Sequence, residues 1–273
     1  MADDWFGGRA ELAGTVAVIT GGAGGLGSAI VHDLAANGVR TAVIDRDEDA
    51  AQALRDAGHD ALVHTGDVRE EAALQGLFEA VDERWGRLDI LVNVVGGTFR
   101  APFTETRPRG WDALIRTNLT HVLHACSLAV PRIRAGGRGG SIINVSTIEA
   151  HRAAPGFAVY AAAKAAVEQF ARTLAVELAP DGIRVNNVAP DYVPTPSLAA
   201  LGHGGPTPEG ISVAIPMARA GRPEDVSGCV VFLASALSSY VTGTTLHPDG
   251  GTYASSGWFN WPGTGWSNHV PGA

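Results

Sequence analysis

"TVAVITGGAGGLGSAIVHDLAANGVRTAVID", residues 15–45, changes hydrophobic period twice. Residues 15–20 form a short apolar, β-branched run, the signature of a buried strand. Glycines follow in "TGGAGGLG" (20–27). Helical spacing then runs over 26–38 and stops at Gly38, a residue suited to ending helices. A second strand-like run, 39–45, closes the unit on Asp45. Glycines at 21, 25 and 27, with Leu26 between them, allow main-chain conformations closed to other residues. They also let the backbone approach a pyrophosphate seated at the helix N-terminus. Asp45, at the end of the second strand, can accept hydrogen bonds from an adenosine ribose and would repel a 2′-phosphate. These residues favour NAD(H) over NADP(H), and Arg46 is the one contrary sign.

The alternation continues along the chain. A helix is expected over 47–58, closing on Gly58, then a strand over 60–68, a helix over 70–86 and a strand over 88–97. A helix through about 111–134, a strand at 141–146, a long helix near 157–179 and a strand at 183–189 follow. Segment 190–222 is rich in Pro and Gly. A helix (223–236) and a last strand near 241–247 complete the pattern. Strands alternating with helices predict an α/β fold, a single doubly wound Rossmann-type domain whose parallel sheet of about seven strands has helices on both faces. We read 1–273 as one domain with its core over about 12–251. The tail, 252–273, has no Asp, Glu, Lys or Arg but carries Trp258, Trp261 and Trp266. Its Gly and Pro residues argue against a regular helix or a membrane span.

The totals bound the function. The 273 residues are 45% hydrophobic and 18% charged, which suits a soluble globular chain. A net charge of -8 argues against nucleic acid as a partner. No apolar run reaches membrane-spanning length, and the acidic N-terminus has no apolar secretory stretch. Cys126 and Cys229 stand far apart without metal-like spacing, and a cytoplasmic location is expected. His121 and His124 are three apart on a helix, but no matching Cys, Asp or Glu set accompanies them, so no metal site is expected.

"VSTIEAHRAAPGFAVYAAAK" (145–164) carries the chemistry. Tyr160 and Lys164 are four apart on a helix and share a face. A phenol titrates near pH ~10, and bringing it down by about three units needs roughly 4 kcal/mol of differential stabilisation. A nearby desolvated ammonium could supply that. The helix is nearly apolar all round, so a lysine in it needs a reason. Upstream, Ser146 and Thr147 offer adjacent hydroxyls.

Taken together, these pieces resemble the short-chain dehydrogenase/reductase family over about residues 12–251. "TGGAGGLG" is similar to its TGxxxGxG turn, "YAAAK" to YxxxK, "RTNLTHVL" to its helix asparagine at Asn118, and "HPDGG" (247–251) to its C-terminal Asp-Gly-Gly. The resemblance implies a NAD(H)-dependent oxidoreductase that interconverts a secondary alcohol and its ketone, with Tyr160 as general acid/base. The family's serine usually lies thirteen positions before the tyrosine, which is Thr147 here, with Ser146 as the alternative if the loop carries one extra residue. Lys164 would lower the tyrosine pKa and bind the nicotinamide ribose, and Asn118 would hold a water that relays protons to solvent. Asp67 and Val68 stand where the family contacts adenine. Asn93 and Gly96 survive from its Asn-Asn-Ala-Gly, implying an adenine-side contact. Pro190, followed by Asp191 instead of Gly, and then Val193 and Thr195 match positions near the nicotinamide and phosphates. Asp191 is a candidate for holding the cationic ring. The resemblance also implies a homo-tetramer or dimer. The alternatives are an NADPH-dependent ketoreductase of an acyl or polyketide pathway and a catalytically silent dinucleotide sensor. "RIRAGGRGG" (132–140) reads as a solvated loop, and His151 either as a surface-loop residue or as one that reaches the substrate pocket. Phe99, Phe103, Phe157, Tyr192, Leu198 and Met217 suggest an apolar pocket, and the tail reads as a pocket cover or interface packing.

Overall fold

Seven of the runs read as strands lie side by side in one parallel sheet. The computed structural model describes residues 5–57, 61–199 and 205–271. In chain order the elements are α1 (Trp5–Ala10), β1 (Val16–Thr20), α2 (Gly25–Ala36), β2 (Arg40–Asp45), α3 (Glu48–Asp56), β3 (Leu62–Thr65), α4 (Glu71–Trp85) and β4 (Ile90–Asn93). Then come α5 (Pro108–Ile115), α6 (His121–Gly136), β5 (Gly140–Val145), α7 (Ala158–Leu178), β6 (Ile183–Val188), α8 (Pro196–Ala199), α9 (Pro208–Ala214), α10 (Pro223–Ala234) and β7 (Thr245–Leu246). A short α11 (Thr252–Ser255) and an antiparallel hairpin, β8 (Phe259–Trp261) with β9 (Gly265–Ser267), end the described chain. The expected helix stop at Gly58 and strand start at Asp60 lie outside the described residues.

The strand order is β3-β2-β1-β4-β5-β6-β7. Every residue of β1 and β4 is buried, as expected of strands covered on both faces. One face packs Ile30, Val31 and Leu34 of α2 with Val226, Val230 and Leu233 of α10. The other packs Leu74, Leu77, Phe78 and Val81 of α4 against Ile133 of α6 and Val167 and Ala171 of α7. Among the described residues no helix is long and apolar enough to cross a membrane.

Several boundaries differ from the sequence reading. The 88–97 run pairs only over 90–93, because after Asn93 the chain leaves the sheet, with Val94 N still donating to Thr20 O at 3.2 Å. The last strand shortens to two residues. The single helix expected at 111–134 is two helices joined by a π-helical turn, Arg116–Thr120, which widens the coil around Asn118. "RIRAGGRGG" is not simply a solvated loop. Its first five residues finish α6, and Arg132, Arg134 and Arg138 pair with Asp82, Asp181 and Asp89.

The register of the sheet lines up three amides. Asn93 faces Asn144 and Asn144 faces Asn187. Asn93 Nδ2 donates to Asn144 Oδ1 (2.9 Å), Asn144 Nδ2 to Asn187 Oδ1 (3.1 Å), and Asn187 Nδ2 to Thr245 Oγ1 (3.2 Å). This ladder crosses β4, β5, β6 and β7 where the strands approach the crevice. Buried amides are tolerated only when paired, so the ladder also fixes the strands against one another. Asn144→Ala takes one partner from each neighbour. It is expected to lower unfolding free energy by about 2–4 kcal/mol in urea titrations, with the m-value unchanged.

Candidate active site

The chain leaves β1 toward β2 on one side and β4 toward β5 on the other, although β1 and β4 are neighbours. That divergence opens a crevice at the carboxyl ends of the two strands, the usual ligand position in such sheets. The glycine turn fills one wall. Gly21 N donates to Ile44 O at 2.7 Å, and Gly21 and Gly25 have φ of 68° and 49°. A Cβ added to Gly27 would stand 1.9 Å from Gly21 O, so the tight approach of helix to turn requires glycine there. Leu26 packs toward the α2-side core. Asp45 is tied to the turn, its Oδ2 accepting from Ala23 N at 3.1 Å. Val95 presses on Gly21, and Thr195 lies over Gly25, a Cβ there being 3.4 Å from it. The N-terminus of α2 has no side-chain cap, leaving its first N–H groups for a ligand. A main-chain cradle, an uncapped helix start and an acid at the ribose position fit a dinucleotide.

Asp67 stands after β3, bonded by Arg69, whose guanidinium holds its carboxyl below the usual range. Arg46 is exposed and electrostatically close to the same carboxylate. Val68 is buried. Val193 is buried against Gly221, and Pro190 O accepts from Ile148 N at 3.1 Å, joining the 190s segment to the hydroxyl loop. The Asn93 amide points along the sheet to Asn144 and braces the strands, its own Oδ1 being buried without a partner among the described residues.

The opposite wall carries the proton chemistry. Lys164 is the single lysine of a chain whose lysine and arginine total is 20. It is 3% exposed, and its Nζ donates to Val145 O at 2.9 Å. A Cβ on Gly96 would lie 3.3 Å from both Lys164 Nζ and Asn118 Oδ1, so this glycine sits directly against the amine. Burial pulls the amine down to about 8, opposed by the charge of Glu168. At neutral pH it is still mostly ammonium. The Thr147 hydroxyl faces the Tyr160 phenol and eases its ionisation, yet burial pushes the phenol up to about 12. The expectation that Lys164 brings the phenol down is therefore not met in the chain by itself. Desolvation prevails, and the group that opposes it is the Thr147 hydroxyl.

The two adjacent hydroxyls diverge. Thr147 turns to Tyr160, and its Oγ1 accepts from Glu149 N at 3.3 Å. Ser146 Oγ donates instead to Glu168 Oε1 at 2.7 Å, away from the phenol. The two hydroxyls therefore serve different partners, Ser146 the Glu168 carboxylate and Thr147 the phenol side of the crevice. The Asn118 amide is fully engaged, accepting from Gly97 N (3.1 Å) and donating to Gly97 O (2.8 Å) and Leu114 O (2.9 Å). Its amide holds the 96–97 loop over Lys164.

Three further residues find their places. His151 is not a solvated loop residue: its Nε2 meets Glu168 at 2.9 Å and its ring packs on His247 and Tyr253. Asp191 is engaged by Arg152 at 3.2 Å, which weakens any pull on a cationic ring. His121 is buried with neither ring nitrogen hydrogen-bonded, and burial together with the Lys164 charge pushes it down to about 3. Of the apolar residues, Phe99, Phe103 and Phe157 line a common cleft beside Tyr160, while Met217 is exposed. The tail forms a hairpin whose β8 packs on α9. Sequence reasoning missed Glu168. Its position, four residues after Lys164 on an otherwise apolar helix, was the available signal.

Comparison with known proteins agrees with this architecture. A family model described as enoyl-(acyl carrier protein) reductase matches residues 21–253. The chain is 39% identical over 242 residues to the cis-4-hydroxycyclohexanecarboxylate dehydrogenase of Sinomonas cyclohexanicum, covering 86% of this chain and 95% of that protein. It is 36% identical over 251 residues to the 3-oxoacyl-(acyl-carrier-protein) reductase of Haemophilus influenzae, covering 89% of this chain and 100% of that protein. A crystal structure of a gluconate 5-dehydrogenase from Burkholderia cenocepacia, in complex with NADP and tartrate, superposes with a TM-score of 0.81 at 34% identity, covering 89% of this chain and 96% of that one.

Gly27→Ala should abolish dinucleotide affinity, because the added methyl collides with Gly21 O. Fluorescence titration should show a loss of about 100-fold or more, with the far-ultraviolet circular dichroism retained.

Proposed function

Because the chain belongs to the short-chain dehydrogenase/reductase family, we propose that it interconverts a secondary alcohol and its ketone with NAD(H). The observation that carries this reading is the meeting of the Thr147 hydroxyl, the Tyr160 phenol and the buried Lys164 amine across the crevice from the glycine turn. A bound nicotinamide supplies the hydride acceptor in oxidation and the donor in reduction. Gly21, Gly25, Leu26 and Gly27 would hold its pyrophosphate by main chain, and Asp45 its adenosine ribose. Asp67 and Val68 would border the adenine, and Gly96, Pro190, Val193 and Thr195 the nicotinamide half.

The side chains then divide the proton work. Thr147 accepts from Glu149 N, and its O–H, which faces the phenol, would donate to a substrate oxygen bound between the two. Tyr160 removes the alcohol proton in oxidation and returns it in reduction. Lys164, held by Val145 O, faces the ribose position as an ammonium and favours the phenolate once the site is filled. Asn118 keeps Gly97 and Gly96 in place above that amine. Phe99, Phe103 and Phe157 give the substrate an apolar wall. The free thiols Cys126 and Cys229 suit a reducing compartment, and we infer a cytoplasmic homo-dimer or tetramer. Val176, 76% exposed on the active-site helix, supports the oligomer.

Asp45 supports NAD(H). An NADPH-dependent ketoreductase is the second reading, favoured by the exposed Arg46 next to it and by the NADP seen in the gluconate 5-dehydrogenase. A screen of alcohols and ketones with both dinucleotides, read by absorbance of the reduced cofactor, decides between them. NAD(H) should give at least about tenfold higher kcat/KM, a difference near 1.4 kcal/mol. The reverse preference establishes the ketoreductase reading, and binding without turnover establishes a sensor.

Tyr160→Phe should lower kcat by about 10²–10⁴-fold, and Thr147→Ala should cost more than Ser146→Ala. Since burial holds the phenol protonated far above neutrality, kcat/KM for oxidation should rise with pH through the neutral range. The reductive rate should stay flat over the same range, because the phenol remains in its proton-donating form. A flat oxidative profile measured by stopped flow would speak against Tyr160 as the base.

A further inference from the structure

Glu168 is the most deeply buried carboxylate near the crevice, 1% exposed on α7. Burying a carboxylate is costly unless donors satisfy it. Here the donors come from three directions. Ser146 Oγ reaches Oε1 at 2.7 Å, His151 Nε2 reaches Oε2 at 2.9 Å, and Thr245 Oγ1 reaches Oε2 at 3.2 Å. Arg172, one turn on, lies 3.6 Å away. Ser146 and His151 are the two ends of the loop that carries Thr147. Thr245 is the last member of the asparagine ladder, so the carboxylate also ties that loop to the sheet.

We propose that Glu168 is a positioning residue, fixing the loop that aims Thr147 at Tyr160 while supplying the counter-charge for Lys164 one helical turn before it. The inference rests on the oxidoreductase reading above. The geometry explains why adjacent hydroxyls diverge. Ser146 is drawn to Glu168, and extended backbone then turns the next side chain to the opposite side, toward Tyr160. Ala150 N closes the loop on Thr147 O at 3.1 Å, and Ile148 N anchors it on Pro190 O. On the helix, the Glu168 charge opposes the loss of the proton that burial forces on Lys164. The charged and titratable groups facing Glu168 are His151 from the loop, His247 beyond β7, and Lys164 and Arg172 of its own helix. Lys164 in turn faces the neutral His121 of α6.

The single lysine makes the test direct, because lysine labelled with ¹³C at Cε gives one signal from the full-length protein. Glu168→Gln should move the Lys164 titration down by about one pH unit. It should lower kcat about 10- to 100-fold with the dinucleotide KM within about twofold, and draw in the alkaline limb of the kcat profile by the same amount. Ser146→Ala should lower kcat about tenfold, and the double variant should be no slower than Glu168→Gln within about twofold. An unmoved lysine signal with unchanged kcat overturns the proposal, as does a double variant in which the two losses multiply. If Glu168→Gln fails to fold, Ser146→Ala with wild-type kcat overturns it. If the wild-type protein turns over no alcohol or ketone, the function reading fails, and the Lys164 titration alone decides the role of Glu168.

Discussion

The structure depends on one buried amine. A chain with 20 basic side chains spends its only lysine on the inner face of a helix, 3% exposed, where an ammonium is disfavoured. Around this amine the fold places Val145 O, the amide of Asn118, the bare face of Gly96 and the charge of Glu168. Of these, Val145 O and the Glu168 charge hold a proton that burial would otherwise remove.

The phenol beside it teaches a second point. Spacing alone suggests that a lysine four residues away lowers the tyrosine pKa. In the folded chain burial acts on both groups, pushing the phenol up and the amine down. Both shifts favour the uncharged forms, the ordinary effect of low dielectric. The phenol thus keeps its proton at neutral pH, and its use as a base depends on charge brought in with the ligands.

Much of the fold was legible because hydrophobic period and glycine placement are local properties. The run from Thr15 to Asp45 announces strand, turn, helix and strand, and the structure follows it within two residues at each boundary. Strand ends were overestimated where the chain stays apolar after leaving the sheet, as at Val94 and Val95. The π-helical turn was invisible, since nothing in "RTNLT" departs from ordinary helical spacing. In the site, Tyr160, Lys164 and the glycine turn could be read from spacing. The partners of Ser146, Asn93 and Asn118 could not, because Glu168, Asn144 and Gly97 meet them only through sheet register and helix packing. His151 looked like a loop residue for the same reason: its partners, His247 and Tyr253, come from the far end of the chain.

The most direct test of this account is the proton affinity of that amine in the wild-type protein, followed by the single ¹³Cε lysine resonance across pH without added ligand. The account predicts a midpoint near 8, the value burial imposes. A midpoint at the ordinary lysine value of about 10.4, that of a solvated side chain, would contradict the buried site and the chemistry built on it.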